Sequence, residues 1–217
     1  MSMSDASPFG ADTQRYWDKR KSLFHRFDEG VHLDREGLYS VKPEAIALEV
    51  AEYLPGKVVF DAFCGVGGSA IGFARKGKRV VTCDLSAERL AMARHNAEIY
   101  GVADRIEFIH GDVFAVADKA EFDCASFDPA WGGPDYYKKE RFTLDMFSPD
   151  GRKLIEYAQK RSVPFAFCLP KNFDLKELSG LSDSFKLTEH VVDGAVQFLT
   201  AYFSGNKDQK GASFSSC

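Results

Sequence analysis

Two short segments carry residue types whose spacing can do chemistry. The first is Asp61-Ala62-Phe63-Cys64-Gly65-Val66-Gly67-Gly68, which closes the apolar run Lys57–Asp61. A strand that runs into a glycine turn and then a helix suits a nucleotide-type ligand, because glycine admits close backbone approach and positive φ. A dinucleotide loop would need glycine where Ala70 stands, and no GxxxxGK followed by Ser or Thr is present. Asp61 sits just before the turn, where a carboxylate repels pyrophosphate and attracts a cationic amino-acid group. Asp84 ends the run Arg79–Asp84, the place for a carboxylate that accepts ribose hydroxyls. Asp112 follows the run Ile106–Ile109, where it can accept from an adenine amino group. Singly, each Asp could equally cap a helix or a turn. Together they select a ligand with ammonium, sulfonium and ribose groups and no phosphate, which describes S-adenosylmethionine.

The second segment is Asp128-Pro129-Ala130-Trp131-Gly132-Gly133-Pro134-Asp135-Tyr136, after the apolar run Phe122–Phe127. It resembles the D/N/S-P-P-F/Y/W motif of methyltransferases that alkylate planar exocyclic nitrogens. Such an amine shares its lone pair with the ring and attacks poorly. Two acceptors on its N–H groups, the Asp128 side chain and the Pro129 carbonyl, would draw the nitrogen toward tetrahedral geometry. Proline brings no N–H to compete. Trp131 would stack on the ring. The same Trp131 could be a core aromatic, but Pro and two glycines around it place it in a loop.

The elements that must position these segments alternate. Helices are expected over Thr13–Phe27, Glu44–Tyr53, Gly67–Lys76, Ala87–Tyr100 and Leu144–Gln159. Pro43 opens the second of them and Ser86 caps the fourth. Strands are expected over Lys57–Asp61, Arg79–Asp84, Ile106–Ile109, Phe122–Phe127 and Val163–Leu169. Phe185–Val192 and Gln197–Phe203, on either side of Asp193-Gly194, read as a closing antiparallel hairpin. Asp28–Ser40 reads as a loop. The expected fold is α/β, a class I (Rossmann-like) arrangement with a mostly parallel seven-stranded sheet and an N-terminal helical extension. Residues 1–12 are expected to be disordered and 13–54 to form the extension. Residues 55–204 would form the main domain and 205–217 a polar tail.

The formal charge of −4 argues against wrapping long duplex nucleic acid. Charge is uneven, however. Arg15, Lys19, Arg20, Lys21 and Arg26 are interleaved with Tyr16, Trp17, Phe24 and Phe27, a mixture that suits phosphates and bases together. An amphipathic helix with a solvated basic face would look the same. No apolar run approaches the ~20 residues of a membrane span, and the first ten residues lack a signal pattern, so an intracellular chain is expected. Cys64, Cys83, Cys124, Cys168 and Cys217 form no CxxC pair, and the first four read as small buried hydrophobes. His25, His32, His95, His110 and His190 have no ligand spacing, so no metal is expected.

Longer stretches are similar to one family. Arg15–Phe27 with Leu33-Asp34-Arg35-Glu36-Gly37, Val59–Gly68, Ala93–Gly101 and Pro129–Tyr136 resemble the trimethylguanosine synthases. The resemblance covers roughly Arg15 to Phe203. It implies two methyl transfers from S-adenosylmethionine to guanine N2 of a 7-methylguanosine RNA cap, giving 2,7-dimethyl and then 2,2,7-trimethylguanosine. N7-methylguanine is cationic, and a cation over an indole gains ~0.5–2 kcal/mol, so Trp131 would reject unmethylated guanine. The resemblance implies small nuclear and nucleolar RNA substrates, small ribonucleoprotein partners, a nuclear location and a monomer. It places Phe24, Ser40, Val41, Lys42, Pro43, Asp61, Phe63, Cys64, Gly65, Gly67, Asp84, Leu85, Asp112, Val113 and Asp128 around the cofactor. Asp128, Pro129 and Trp131 would be catalytic. Arg15, Trp131, Gly132, Pro134, Tyr136, Lys171 and Asn172 would bind substrate, and Asn96 lies in a helix segment typical of the family. This chain departs from the family at Asp128 and Ala130, where Ser-Pro-Pro-Trp is common, at Lys42 for Thr, and at Lys171 for Arg, which trades a bidentate fork for a point charge. Two other readings remain at this stage. One is an N2-guanine or N6-adenine methyltransferase of rRNA, tRNA or DNA. The other is a silent cap- or RNA-binding protein on the same scaffold.

Overall fold

The computed structural model describes residues 6–182, 185–192 and 194–205. The chain divides into two compact units, residues 1–123 and 124–217.

In the first unit, β1 (Val58–Asp61), β2 (Arg79–Asp84) and β3 (Ile106–His110) are parallel, with β2 between the others. Their register sets Asp61 beside Thr82 and Asp84 beside His110. Helices α5 (Gly68–Arg75) and α6 (Ala87–Ile99) provide the crossovers, and α4 (Glu44–Tyr53) packs on α5. That last contact needs Gly72, since a Cβ there would stand 2.7 Å from the Ala47 Cβ. Ser86 caps α6 as expected, its hydroxyl accepting from the Arg89 N–H at 3.2 Å.

The N-terminal part differs from the expectation in three ways. Thr13–Phe27 is not one helix. It is a 3-10 turn at Ala11–Thr13, then α1 (Gln14–Trp17), α2 (Arg20–Leu23) and a second 3-10 turn at Phe27–Glu29. The cause lies in packing: Phe24 leaves the helix in an extended conformation (φ −142°, ψ 111°) and its ring becomes buried beside Tyr100. Arg20 then closes the broken turn by donating to the Trp17 carbonyl at 2.9 Å. The expected loop at 28–40 contains α3 (Arg35–Ser40). Gly37 hid it from the sequence, yet glycine is required, because a Cβ there would stand 2.8 Å from Val66. Residues 6–12, expected to be disordered, are tied down by Ser7 N–H to Gln14 Oε1 (2.8 Å) and by Arg35 to the Phe9 carbonyl (2.6 Å).

In the second unit, β4 (Cys124–Phe127) runs parallel to β5 (Phe165–Pro170). The hairpin of β6 (Phe185–Val192) and β7 (Ala195–Phe203) adds antiparallel to β5 through β7. Of the expected hairpin turn, Asp193 lies outside the described residues and Gly194 is left-handed (φ 76°). The expected helix 144–159 is split by Pro149 into a 3-10 turn at Leu144–Met146 and α8 (Gly151–Arg161), the latter capped by Asp150. The short helices α7 (Val113–Ala117) and α9 (Lys176–Ser179) were not expected. The fold is the α/β class expected, with seven strands among the described residues, mostly parallel.

Cys64, Cys83, Cys124 and Cys168 are buried as small hydrophobes, and burial pushes the Cys83 thiol up to about 12. Among the described residues no helix is long and apolar enough to cross a membrane.

Groups from the extension and from the ends of α5 and α6 converge on Glu44. Burial alone would raise its pKa. The backbone N–H of His25 (3.0 Å), the Tyr100 hydroxyl (2.7 Å), Arg75 and the His25 ring outweigh burial and hold it at about 2. A depressed carboxylate stabilises the fold above its unfolded pKa and loses that contribution as pH falls toward the folded value. Glu44→Gln is therefore expected to cost about 1–2 kcal/mol at pH 7, after allowance for solvent screening. Urea unfolding of both proteins at pH 7 and pH 3 checks this. The gap should narrow at the lower pH, and an unchanged gap would contradict the assignment.

Candidate active site

In the first unit the strand ends bring Asp61, Gly65 and Asp84 together. Asp61 is buried, and the Thr82 hydroxyl lies 3.0 Å from its Oδ2 and 2.9 Å from its carbonyl. Asp84 accepts the Gly65 N–H on Oδ2 (2.8 Å) and the Ser86 N–H on Oδ1 (2.9 Å). A carboxylate oxygen has two lone pairs, so both oxygens keep an accepting site. Asp112 is exposed and caps α7, taking the Phe114 and Ala115 N–H groups on Oδ1. The cap and the ligand-acceptor roles weighed for Asp112 are thus compatible, since Oδ2 is not part of the cap.

The glycine turn is built for approach. Gly67 (φ 94°) would place a Cβ 3.1 Å from Ala93, so it packs the turn on α6. Gly65 (φ 51°) would point a Cβ at open space, with nothing within 4 Å. An open cradle therefore borders Asp84, and the adjoining Leu85 is 73% exposed, a large apolar side chain without cover. Phe63 is half-buried, while Cys64 and Val113 are buried. Open backbone, an apolar face and acids at the strand ends fit S-adenosylmethionine. Val41 and Lys42 lie across the start of α5, where a Cβ at Gly68 would meet the Val41 side chain at 2.4 Å. Ser40 is exposed, Pro43 half-buried and Lys42 buried. Phe24 packs on Tyr100, their centroids 6.2 Å apart. Arg15 is exposed, with its guanidinium 4.6 Å over the Tyr16 ring.

Two supports of this unit were missed or undervalued in the sequence. Asn96 is fully buried and makes three bonds. Its Oδ1 accepts the His32 N–H at 2.8 Å, and its Nδ2 donates to the carbonyls of His32 and Val66, both at 2.9 Å. Arg89 reaches from α6 to Asp34 (2.9 Å) and Glu36, holding α3 by its cap and its first turn. No local spacing signals either support, because the partners lie 30 to 64 residues away.

In the second unit, Asp128 follows β4 and is half-buried, and Pro129 is buried. The Ala130 carbonyl accepts from the Ser148 N–H at 3.1 Å, which anchors the turn where the family's second proline is missing. Gly132 (φ 81°) and Gly133 (φ 89°) are both left-handed. Trp131 meets Tyr136 edge-on, centroids 4.9 Å apart and planes at 78°, and lies 6.5 Å from Phe198. Its indole N–H is buried without a hydrogen-bond partner. Asn172 donates from Nδ2 to the carbonyls of Lys139 (2.8 Å) and Tyr136 (3.4 Å), and Lys171 is exposed. Pro134 is placed at the start of a 3-10 turn, Pro134–Lys138.

Comparison with known proteins identifies the family. A family model described as RNA cap guanine-N2 methyltransferase matches residues 56–206. The trimethylguanosine synthase of Schizosaccharomyces pombe is 35% identical over 205 residues, covering 88% of this chain and 85% of the relative. The Saccharomyces cerevisiae enzyme of the same name is 33% identical over 210 residues, covering 91% of this chain and 65% of the relative. Among solved structures, an RNA methyltransferase from Salinibacter ruber in complex with S-adenosyl-L-homocysteine has a TM-score of 0.52 at 21% identity. The alignment covers 76% of this chain and 91% of that one. A T. thermophilus 16S rRNA N2-guanine methyltransferase has a TM-score of 0.56 at 17% identity, over 81% of this chain and 44% of that one. These two similarities speak for the fold.

The Asn96 tie gives a direct test. Removing a buried hydrogen-bonded amide strands its partners at about 1–3 kcal/mol each. Asn96→Ala is expected to lower stability by about 3 kcal/mol or more and to weaken binding of S-adenosylhomocysteine, because the Val66 carbonyl belongs to the glycine turn. Chemical unfolding and titration calorimetry measure the two effects. A variant with full stability and unchanged affinity would remove Asn96 from its role.

Proposed function

This chain belongs to the RNA cap guanine-N2 methyltransferase family and is an S-adenosylmethionine-dependent enzyme, and we propose that Asp61, Asp84, Asp128, Pro129 and Trp131 carry its methylation of the 7-methylguanosine cap. The observation that carries this assignment is the match of the family model across both chemistry-bearing segments, residues 56–206.

The first unit's residues would hold the cofactor. Asp61 faces an ammonium group, Asp84 accepts ribose hydroxyls, and Asp112 accepts through its second oxygen from an adenine amino group. Gly65 admits the ligand backbone-close, and Leu85 and Val113 give it apolar cover, with Phe24, Phe63, Cys64, Gly67 and Ser40–Pro43 completing the surroundings. Bound S-adenosylmethionine supplies an electrophilic methyl group and leaves as a neutral thioether.

The second unit's residues prepare the acceptor. The Asp128 carboxylate and the Pro129 carbonyl accept the two N–H groups of guanine N2. Holding them weakens conjugation with the ring and directs the nitrogen lone pair outward. Alignment of the reacting nitrogen then supplies much of the rate. The N2 proton is lost after attack, so no strong base is needed beforehand. Trp131 stacks on the 7-methylated base, whose positive charge favours the indole face. Asp128, a carboxylate where relatives commonly have serine, adds a negative charge close to that cation. Arg15 and Lys171 attract the cap phosphates as exposed positive charges. Gly132, Pro134, Tyr136 and Asn172 shape the loop that bears Trp131. The likeness to the two yeast trimethylguanosine synthases supports trimethylguanosine as the final product; the proposal extends to small nuclear and nucleolar RNAs as substrates, ribonucleoprotein partners, a monomer and a nuclear location.

Mass spectrometry of cap dinucleotides incubated with cofactor checks the reaction. A 7-methylated dinucleotide should gain one and then two methyl groups, while its unmethylated counterpart should gain none. Methylation of both alike would overturn cap recognition. Trp131→Ala should weaken binding of 7-methylguanosine diphosphate about tenfold or more and leave cofactor affinity intact. Asp61→Ala should do the reverse. Asp128→Ala should lower kcat by about 10²-fold, and Asp128→Ser should restore most of it.

A further inference from the structure

The loop from Trp131 to Phe142 starts on two left-handed glycines, whose Cβ positions would meet nothing within 4 Å. Glycines in such a conformation confer freedom, not rigidity. Trp131 is anchored on its Ala130 side by the Ser148 bond, but on the glycine side its orientation must be fixed from elsewhere, and among the described residues its nearest ring contact is Tyr136, edge-on at 4.9 Å. The turn that bears Tyr136 is tied to the end of β5 by a side chain. Asn172, just after β5, donates its amide to the carbonyls of Lys139 at 2.8 Å and, more weakly, of Tyr136 at 3.4 Å. The Asn172 main chain is itself immobilised against the end of the same loop. Its carbonyl accepts from Phe142 N–H at 3.0 Å, and the Phe142 carbonyl accepts from Asp174 N–H at 2.9 Å. Phe142 is fully buried, so this anchor is rigid.

We propose that Asn172 is a positioning residue for cap recognition: it locks the Tyr136–Lys139 turn, and the turn braces Trp131 in the orientation that stacks on the 7-methylated base. This rests on the reading of Trp131 as the cap-stacking residue. The donors of Asn172 are committed to the loop, and its Oδ1 is buried. Its influence on the base therefore passes through Tyr136. Asparagine is required, because aspartate of the same shape would set a carboxylate against two carbonyl oxygens.

The test uses fluorescence. Trp17 and Trp131 are the two tryptophans of the sequence, so Trp17→Phe leaves Trp131 as sole reporter. In that background, Asn172→Ala and Asn172→Asp should each lower the emission anisotropy of the ligand-free protein and shift its emission to the red. Each should also raise the Kd for 7-methylguanosine diphosphate about 5–10-fold while leaving the Kd for S-adenosylhomocysteine unchanged. An unchanged urea-unfolding midpoint shows that the variants are folded. Tyr136→Leu should reproduce both effects, and adding Asn172→Ala to it should change little further. A raised Kd with an unaltered ligand-free Trp131 signal would mean that Asn172 touches the ligand directly and would overturn the proposal, as would an unaltered Kd. If 7-methylguanosine diphosphate failed to quench Trp131 in the Trp17→Phe parent, the cap-stacking reading would fall instead. The ligand-free anisotropy would still show whether Asn172 fixes the loop.

Discussion

The cofactor half of this protein depends on one buried amide. Asn96 satisfies both main-chain groups of His32 and the carbonyl of Val66, so a single side chain on α6 joins the N-terminal extension to the glycine turn. A buried polar group with all its bonds made contributes little net energy, but it is costly to leave unmade. The tie therefore acts chiefly by excluding alternatives. Any displacement of the turn from α6, or of the extension from the turn, strands polar groups in an apolar interior. The surrounding contacts point the same way: Gly37 and Gly67 bring α3 and the turn close to their neighbours because no Cβ intervenes.

This arrangement explains what the extension does. Its helices are too short to be stable alone, and they hold through side chains that reach other elements. Phe24 is buried against Tyr100, Glu44 gathers His25, Tyr100 and Arg75, and Arg89 grips Asp34 and Glu36. Segment 40–43 is thereby delivered onto the start of α5, with its geometry fixed before any ligand arrives.

Elements bounded by local signals were legible in the sequence. Helix α4 begins on Pro43, β2 is an apolar run ending in an acid, and β6 is bounded by the Asp193-Gly194 turn signal; all three match residue for residue. What escaped was set by distant contacts. Nothing near Phe24 announces that burial of its ring will break a helix. Gly37 reads as a loop residue until Val66 is placed beside it. The strand-end acids were legible because strand ends are themselves legible. The capping of α7 by Asp112 has no local signature, since an acid before a short apolar stretch serves a turn, a cap or a ligand equally well.

Gly37 also bears on how such chains are recognised. The Leu33–Gly37 signature reads like a functional motif, yet each polar member serves architecture: Asp34 caps α3, Arg35 secures the N-terminal residues, Glu36 reaches Arg89, and Gly37 leaves room for Val66. The contacts of this segment are thus those of a scaffold, and the residues that would meet the base lie in the Asp128–Trp131 loop. Exchange of that loop would leave the framework of the extension standing while altering the group presented to the nucleobase.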